Sequence, residues 1–356
     1  MRIGIPREIK PLEGRVALIP DACADLVRAG HQVLLEQGAG QQAGYADAQY
    51  RQVGVEVVAD AEALYGEAQL VLKVKEPVQG DLALLRKDHV LFCYLHLAAN
   101  PELARRLQEI GLTAVGFETV QETDGSLPLL APMSDIAGRL SVQVGTHLLH
   151  QPQGGRGILL GGMPAAERGH VVIIGAGMAG GNAAAVAAAL GTQVTVFDRN
   201  REKLAAMQAL GSNVTALYAY TGAIEQAVQQ ADMVIGAVLV VGQRAPHVVS
   251  ADLVRRMAPG SVVVDISVDQ GGCIETTRPT TYEAPTYVWE GVVHFTVTNM
   301  PGAVPRTAVQ ALSAALLPYA ARMAEGESWS QHEPLRRGLN VQAGRIVHPG
   351  VIAALG

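Results

Sequence analysis

Three glycines and an aspartate offer the sharpest chemistry in this chain. Gly175, Gly177 and Gly180 stand in the order Gly-Ala-Gly-Met-Ala-Gly directly after the apolar run Val171-Val-Ile-Ile174, and an alanine-rich stretch follows. In that setting the first glycine permits a tight turn, and the second lets backbone approach a pyrophosphate. The third lets a helix pack closely on its strand. The helix start then presents unpaired N–H groups and the positive end of its dipole to the phosphates. The next apolar run, 193–197, ends in Asp198, at the spacing of a carboxylate that binds both ribose hydroxyls. A carboxylate there repels a 2′-phosphate, so NAD is expected in preference to NADP. Arg199 and Arg201 alongside leave the strictness of that choice open.

A second set of polar residues falls at the ends of expected strands. Ligands of open parallel sheets bind beyond the carboxyl ends of the strands. Arg15 lies in the loop after the first strand, Lys75 directly follows the strand at 70–74, and His96 lies just past the strand ending near Tyr94. Two cations and an imidazole suit a small anionic carbonyl compound. A guanidinium grips a carboxylate through paired hydrogen bonds, and an ammonium adds a compact charge near a keto oxygen. An imidazole passes a proton to and from that oxygen. Asp269 lies past the strand at 261–266, where it could accept hydrogen bonds from an amine. Each residue also has an ordinary reading. Arg15 could be solvated, Lys75 could pair with Glu76, His96 could be a core histidine between leucines, and Asp269 could close an Asx turn before Gly271-Gly272. Their shared position at strand ends favours function.

The elements that must position these groups follow from pattern. Short β-branched runs alternate with Ala/Leu-rich stretches along most of the chain, the signature of βαβ units. Strands are expected at 2–5, 32–36, 70–74, 89–94 and 112–116, with helices at 21–29, 60–65 and 101–110. Asp21 and Asn100 are the expected N-caps, the second followed by proline at N1. The breaker-rich stretch 124–132 reads as a linker, and a long helix is expected over 134–150. A second series of strands is expected at 170–174, 193–197, 233–237, 261–266 and 292–297, then a helix at 306–324. The expected fold is α/β, with two doubly wound parallel-sheet domains, the second a Rossmann dinucleotide-binding fold inserted in the first. The substrate-binding domain takes 1–130 and 306–356, and the NAD-binding domain takes 131–305.

Composition narrows the partners. The formal net charge is −6, which argues against nucleic acid as the main partner. The most apolar stretches, 171–174 and 234–241, are far shorter than the ~20 residues needed to span a bilayer. The opening residues lack a sustained apolar core, so no export signal is expected. The 3 cysteines, Cys23, Cys93 and Cys273, have no metal-type spacing, so neither a metal nor an oxidising compartment is expected.

With these residues in view, the chain resembles the alanine dehydrogenase family over nearly its whole length. The resemblance is carried by Arg2-Ile-Gly-Ile-Pro-Arg-Glu-Ile-Lys10, Glu13-Gly-Arg-Val-Ala17, Lys73-Val-Lys75-Glu76-Pro77 and Tyr94-Leu-His96-Leu97. It continues in Ala131-Pro-Met-Ser-Asp-Ile-Ala-Gly-Arg139, Gly236-Ala-Val-Leu239, Val264-Asp-Ile-Ser-Val-Asp269-Gln-Gly-Gly-Cys273, Arg278-Pro-Thr-Thr281 and Asn299-Met-Pro301. It implies reversible oxidative deamination of L-alanine to pyruvate and ammonia with reduction of NAD, in a cytoplasmic homohexamer. Arg15 and Lys75 would bind substrate, and His96 and Asp269 would be the catalytic pair. Ser134, Met178, Ala179, Asp198, Lys203, Leu239, Ile266, Arg278 and Asn299 would contact NAD, with Val238, Ser267, Val268, Val297, Thr298 and Met300 beside them. The chain departs from the family at Ala219, where a serine is expected. Two other readings share this architecture: the nucleotide-binding subunit of a transhydrogenase, and a catalytically silent NAD-binding protein. Hydride exchange between two nucleotides needs no keto-acid grip, so the Arg15, Lys75 and His96 set disfavours the first.

Overall fold

A computed structural model describes residues 1–239 and 245–355; Val240 and Val241, at the end of the apolar stretch 234–241, lie outside the described residues. The chain divides into two compact units, Met1–Met133 with Gly302–Gly356, and Ser134–Pro301.

The first unit is built on an eight-stranded sheet. From edge to edge it runs Arg345–Ile346, Leu339–Gln342, Thr113–Gly116, Val90–Cys93, Leu70–Leu72, Arg2–Ile5, Gln32–Glu36 and Glu56–Val58. The last six are mutually parallel, and the two carboxyl-terminal strands join antiparallel, which makes the sheet mixed rather than purely parallel. From Arg2–Ile5 the chain winds outward through Gln32–Glu36 to Glu56–Val58. It then returns to the other side of Arg2–Ile5 as Leu70–Leu72. The strand order therefore reverses between Arg2–Ile5 and Leu70–Leu72, the position where open α/β sheets gather ligands.

Helices cover this sheet because their apolar residues recur on one face. Helix Pro101–Ile110 shows the local logic: Asn100 Oδ1 accepts from Leu103 N at 3.1 Å, Pro101 occupies the first turn, and Gly111 ends the helix at φ 83°. Its Leu103, Ala104 and Leu107 pack into a core with Leu64, Val71, Leu91, Cys93 and Val341. Each such leucine, fully buried, contributes about 1.5–3 kcal/mol. The expected cap at Asp21 is displaced. Helix Pro20–Arg28 has Ile19 at the N-cap and proline at the first position, so Asp21 falls inside the first turn, where its charge complements the helix dipole.

The second unit carries a seven-stranded sheet ordered Thr286–Trp289, Val292–Phe295, Val262–Asp265, Met233–Gly236, His170–Ile174, Gln193–Asp198 and Val214–Tyr218. All pairs are parallel except the edge strand Thr286–Trp289, which is antiparallel to Val292–Phe295. Here the order reverses between His170–Ile174 and Met233–Gly236. The central strands are buried on both faces, which explains their unbroken Val/Ile runs. The helix expected over 134–150 spans Ala131–Leu148, starting earlier because Pro132 sits in a first turn whose N–H groups need no intrahelical partner.

Candidate active site

In the first unit the three expected substrate residues follow three adjacent parallel strands. Arg15 follows Arg2–Ile5, Lys75 follows Leu70–Leu72, and His96 follows Val90–Cys93. All three therefore leave the sheet at its carboxyl edge, on either side of the strand-order reversal and one strand beyond it.

Arg15 is buried and held in a fork. Its Nε donates to Glu13 Oε1 at 2.7 Å and its Nη2 to Glu13 Oε2 at 2.6 Å, while the Arg15 backbone N also donates to Glu13 Oε1 at 3.0 Å. Burial works against the guanidinium charge, but the Glu13 hydrogen bonds and charge outweigh it and hold the Arg15 pKa above its ordinary value.

Lys75 hangs on a buried polar network that sequence reasoning did not single out. Glu8 Oε1 accepts from Val74 N at 2.6 Å and from Lys75 N at 3.3 Å. The buried Lys73 ammonium lies 3.3 Å from Glu8 and 3.2 Å from Asp81, and Tyr65 Oη donates to the same Asp81 at 2.9 Å. Burial pushes the Glu8 carboxyl up, against the Lys73 charge. Glu76 forms its ion pair with Lys10. Burial pushes the Glu76 carboxyl up too, but the charges of Lys75 and Lys10 prevail and hold it below its ordinary value.

His96 is not a core residue. It is half-buried, between the buried Leu95 and Leu97, and its backbone adopts the left-handed conformation, φ 48° and ψ 38°. Its N–H donates to Glu118 Oε1 at 2.7 Å, and Leu95 N donates to the same carboxylate at 3.1 Å. The imidazole lies parallel to the Tyr94 ring, with centroids 5.9 Å apart, and Tyr94 Oη donates to Leu129 O at 2.6 Å. Glu118 was invisible as a site residue in the sequence, where it stands in an unremarkable Phe-Glu-Thr run.

In the second unit the glycine turn joins His170–Ile174 to helix Met178–Ala189, whose first turn has no side-chain cap. Gly175 has φ 104°, a conformation that favours glycine. A Cβ on Gly180 would fall 1.8 Å from Gly175 O, so helix and turn touch through backbone, whereas a Cβ on Gly177 would meet nothing within 4 Å. Asp198 accepts from Ala176 N at 2.7 Å and from Asn200 N at 2.8 Å, which fixes its carboxylate beside the turn. Open space over Gly177, uncapped helix N–H groups and a fixed carboxylate fit a dinucleotide. Val238 and Leu239 follow the strand on the far side of the reversal, and Leu239 is an exposed large apolar residue, suited to face a ligand.

Asp269 is exposed, in the turn Ile266–Gln270 beyond strand Val262–Asp265. The Asx-type contact in this segment belongs to Asp265 instead. Its carboxylate accepts from Ser267 N at 2.9 Å, Cys273 N at 2.9 Å, Ile274 N at 3.2 Å and Thr277 Oγ1 at 2.7 Å. Burial raises the Asp265 pKa despite these four donors. Asp265 thus shapes the loop on which Ile266, Ser267 and Asp269 sit. Arg278 stacks over Tyr287 at 4.3 Å, and Asn299 is left-handed at φ 65°. Thr298 N donates to Thr280 O at 3.1 Å. Val268, Val297 and Met300 turn their side chains into the core, leaving backbone as the part able to meet a ligand. Lys203 is exposed near the start of helix Arg201–Gln208, and Ser134 is half-buried in the first turns of Ala131–Leu148. No cluster of three or more potential metal ligands occurs among the described residues.

Comparison with known proteins accords with this geometry. The alanine dehydrogenase/PNT N-terminal domain matches residues 4–137, and the alanine dehydrogenase/PNT C-terminal domain matches residues 141–349. The alanine dehydrogenase of Halomonas elongata is 44% identical over 361 residues, covering 100% of this chain and 97% of that protein. A solved L-alanine dehydrogenase is 52% identical with a TM-score of 0.95, covering 99% of each chain. A transhydrogenase from Sinorhizobium meliloti, 24% identical with a TM-score of 0.84 over 98% of this chain and 99% of its own, shares the fold. Two matched domains and full-length relatives place the chain in the alanine dehydrogenase/PNT family.

Proposed function

We propose that the protein is an NAD-linked L-alanine dehydrogenase, interconverting L-alanine and water with pyruvate and ammonia. The observation that carries this reading is the exit of Arg15, Lys75 and His96 from three adjacent strands at one sheet edge, in a chain that is 52% identical to an L-alanine dehydrogenase. When bound, NAD supplies the hydride acceptor. Arg15, preorganised by Glu13, binds the substrate carboxylate. Lys75 places its ammonium against the oxygen of the keto acid. His96 takes a proton from the water that adds to the imine carbon and, in the reverse direction, returns it to the hydroxyl that leaves as water when the carbinolamine collapses to the imine. Asp269 steadies the positive charge that develops on nitrogen. Ser134, Lys203, Arg278 and Asn299, with the glycine turn, Asp198 and the 238–239 and 266–269 segments, hold the dinucleotide.

The same reading makes the protein a cytoplasmic homohexamer. Its family membership supports the assembly, and the three buried, unbridged cysteines suit a reducing compartment. No helix among the described residues is long and apolar enough to cross a membrane. The test is formation of NADH on adding L-alanine to purified protein with NAD. Absence of alanine-dependent NADH, with nucleotide binding intact, overturns the dehydrogenase reading in favour of a silent or nucleotide-exchanging protein.

A further inference from the structure

We propose that Glu118 is a positioning residue for His96, and the inference rests on the proton-carrying role given to His96 above. Two adjacent parallel strands, Val90–Cys93 and Thr113–Gly116, end side by side with Cys93 opposite Gly116. The chain leaving the first makes the His96 turn, and the chain leaving the second makes the short turn Phe117–Thr119 that carries Glu118. The carboxylate of one turn collects the amides of the other: Glu118 Oε1 accepts from His96 N at 2.7 Å, and Glu118 Oε2 accepts from Leu95 N at 3.1 Å.

The turn needs such a tie. A left-handed backbone is disfavoured for any residue with a Cβ, and such residues persist only when their surroundings over-determine them. Here Cys93, Tyr94, Leu95 and Leu97 are all buried, and His96 alone in that stretch is not. The left-handed step at His96 ends the segment leaving the strand and starts the short turn Leu97–Ala99, with both flanking leucines in the core and the imidazole outside it, lying parallel to Tyr94. Glu118 fixes the backbone of this step and Tyr94 the plane of the ring, so the imidazole is aimed before substrate arrives.

The experiment compares wild type, Glu118→Ala, Glu118→Gln and His96→Ala by steady-state kinetics, with NADH binding followed by fluorescence. Glu118→Ala removes both amide acceptors. Its kcat is expected to fall about 10²-fold, the scale of a misplaced catalytic group, with NADH affinity and the KM for alanine close to wild type. Glu118→Gln keeps one side-chain oxygen for the amides and recovers most of the lost kcat. Wild-type kcat in Glu118→Ala alongside an inactive His96→Ala overturns the positioning role alone, and so does a Gln variant as slow as the Ala variant. An active His96→Ala removes the role of His96, and a wild type without alanine oxidation removes the functional reading; the inference falls with either. Should Glu118→Ala fail to fold, Glu118→Asp decides, because its carboxylate stands back by one methylene. A lowered kcat at unchanged NADH affinity supports the role, and an unchanged kcat overturns it.

Discussion

Glu13 clasps Arg15 through two side-chain hydrogen bonds of 2.7 and 2.6 Å, and both residues are buried. Removing one partner of a buried ion pair costs about 3–5 kcal/mol, more than most surface changes by a wide margin. Glu13→Ala is therefore expected to lower the thermal midpoint clearly. Arg15→Lys, which keeps the charge but loses the planar fork, is expected to raise the KM for pyruvate about tenfold or more with a smaller effect on folding. Calorimetry and initial-rate kinetics on the two variants separate these outcomes, and equal effects on both quantities in both variants count against the division.

Two glycines of the nucleotide turn should respond oppositely to the same added methyl. At Gly180 a Cβ would fall 1.8 Å from Gly175 O, so Gly180→Ala forces backbone apart and is expected to cost about 3 kcal/mol or more. Gly177 has φ −74° and open space around its Cβ position, so Gly177→Ala should fold as wild type. Its methyl nevertheless occupies the space a pyrophosphate needs, and NADH affinity should drop about tenfold or more. Tight NADH binding by Gly177→Ala is the result that removes a nucleotide from this turn.

Asp198 is aimed by two backbone amides and should set cofactor choice. Asp198→Ala is expected to weaken NAD about ten- to a hundredfold, the scale of a hydrogen bond to a charged group, at about 1.5–3 kcal/mol. The ratio of NAD to NADP affinity should fall further, because the repulsion of a 2′-phosphate disappears with the carboxylate. Isothermal titration with both nucleotides measures this, and an unchanged ratio assigns the discrimination elsewhere.

Acid should destabilise the fold through its buried histidines. His89 is buried, its Nδ1 accepting from Arg86 N at 3.0 Å and its Nε2 lying 3.0 Å from Tyr65 O, which fixes a neutral tautomer. Burial holds its pKa below the ordinary 6.5, and burial does the same for His170 and His294. Below 6.5 the unfolded chain binds protons that the folded chain refuses, so this stability is full above that pH and is lost as pH falls toward the folded-state pKa. Thermal midpoints should therefore decline from pH 7 to pH 5, and His89→Gln should show a shallower decline. A pH-independent midpoint over that range contradicts the assignment.

Much of this was legible in the sequence, for reasons that are themselves structural. The buried parallel strands announce themselves as Val/Ile runs, and the glycine turn carries its own spacing. Glu56–Val58, Val214–Tyr218, Thr286–Trp289 and the strands after residue 338 were not foreseen, because they lie at or near sheet edges, where partially exposed residues blur the pattern. Arg15, Lys75 and His96 could be found from their place after strands. Glu118, Glu8 and Asp265 could not, since each acts by receiving amides from a segment distant in sequence or folded back upon it. A side chain that serves another residue's backbone leaves no spacing to read.

The amino-terminal sheet ends in strands Leu339–Gln342 and Arg345–Ile346, laid against Thr113–Gly116. On the ribosome, the portion of the molecule synthesised first must therefore wait for residues 339–346 before its layer is whole, while Ser134–Pro301 has the strands of its own sheet before those residues are made. Birth order and completion order are inverted. Nascent chains stalled near residue 330 should yield a protease-resistant core from the later-made half and an unfinished, chaperone-dependent remainder.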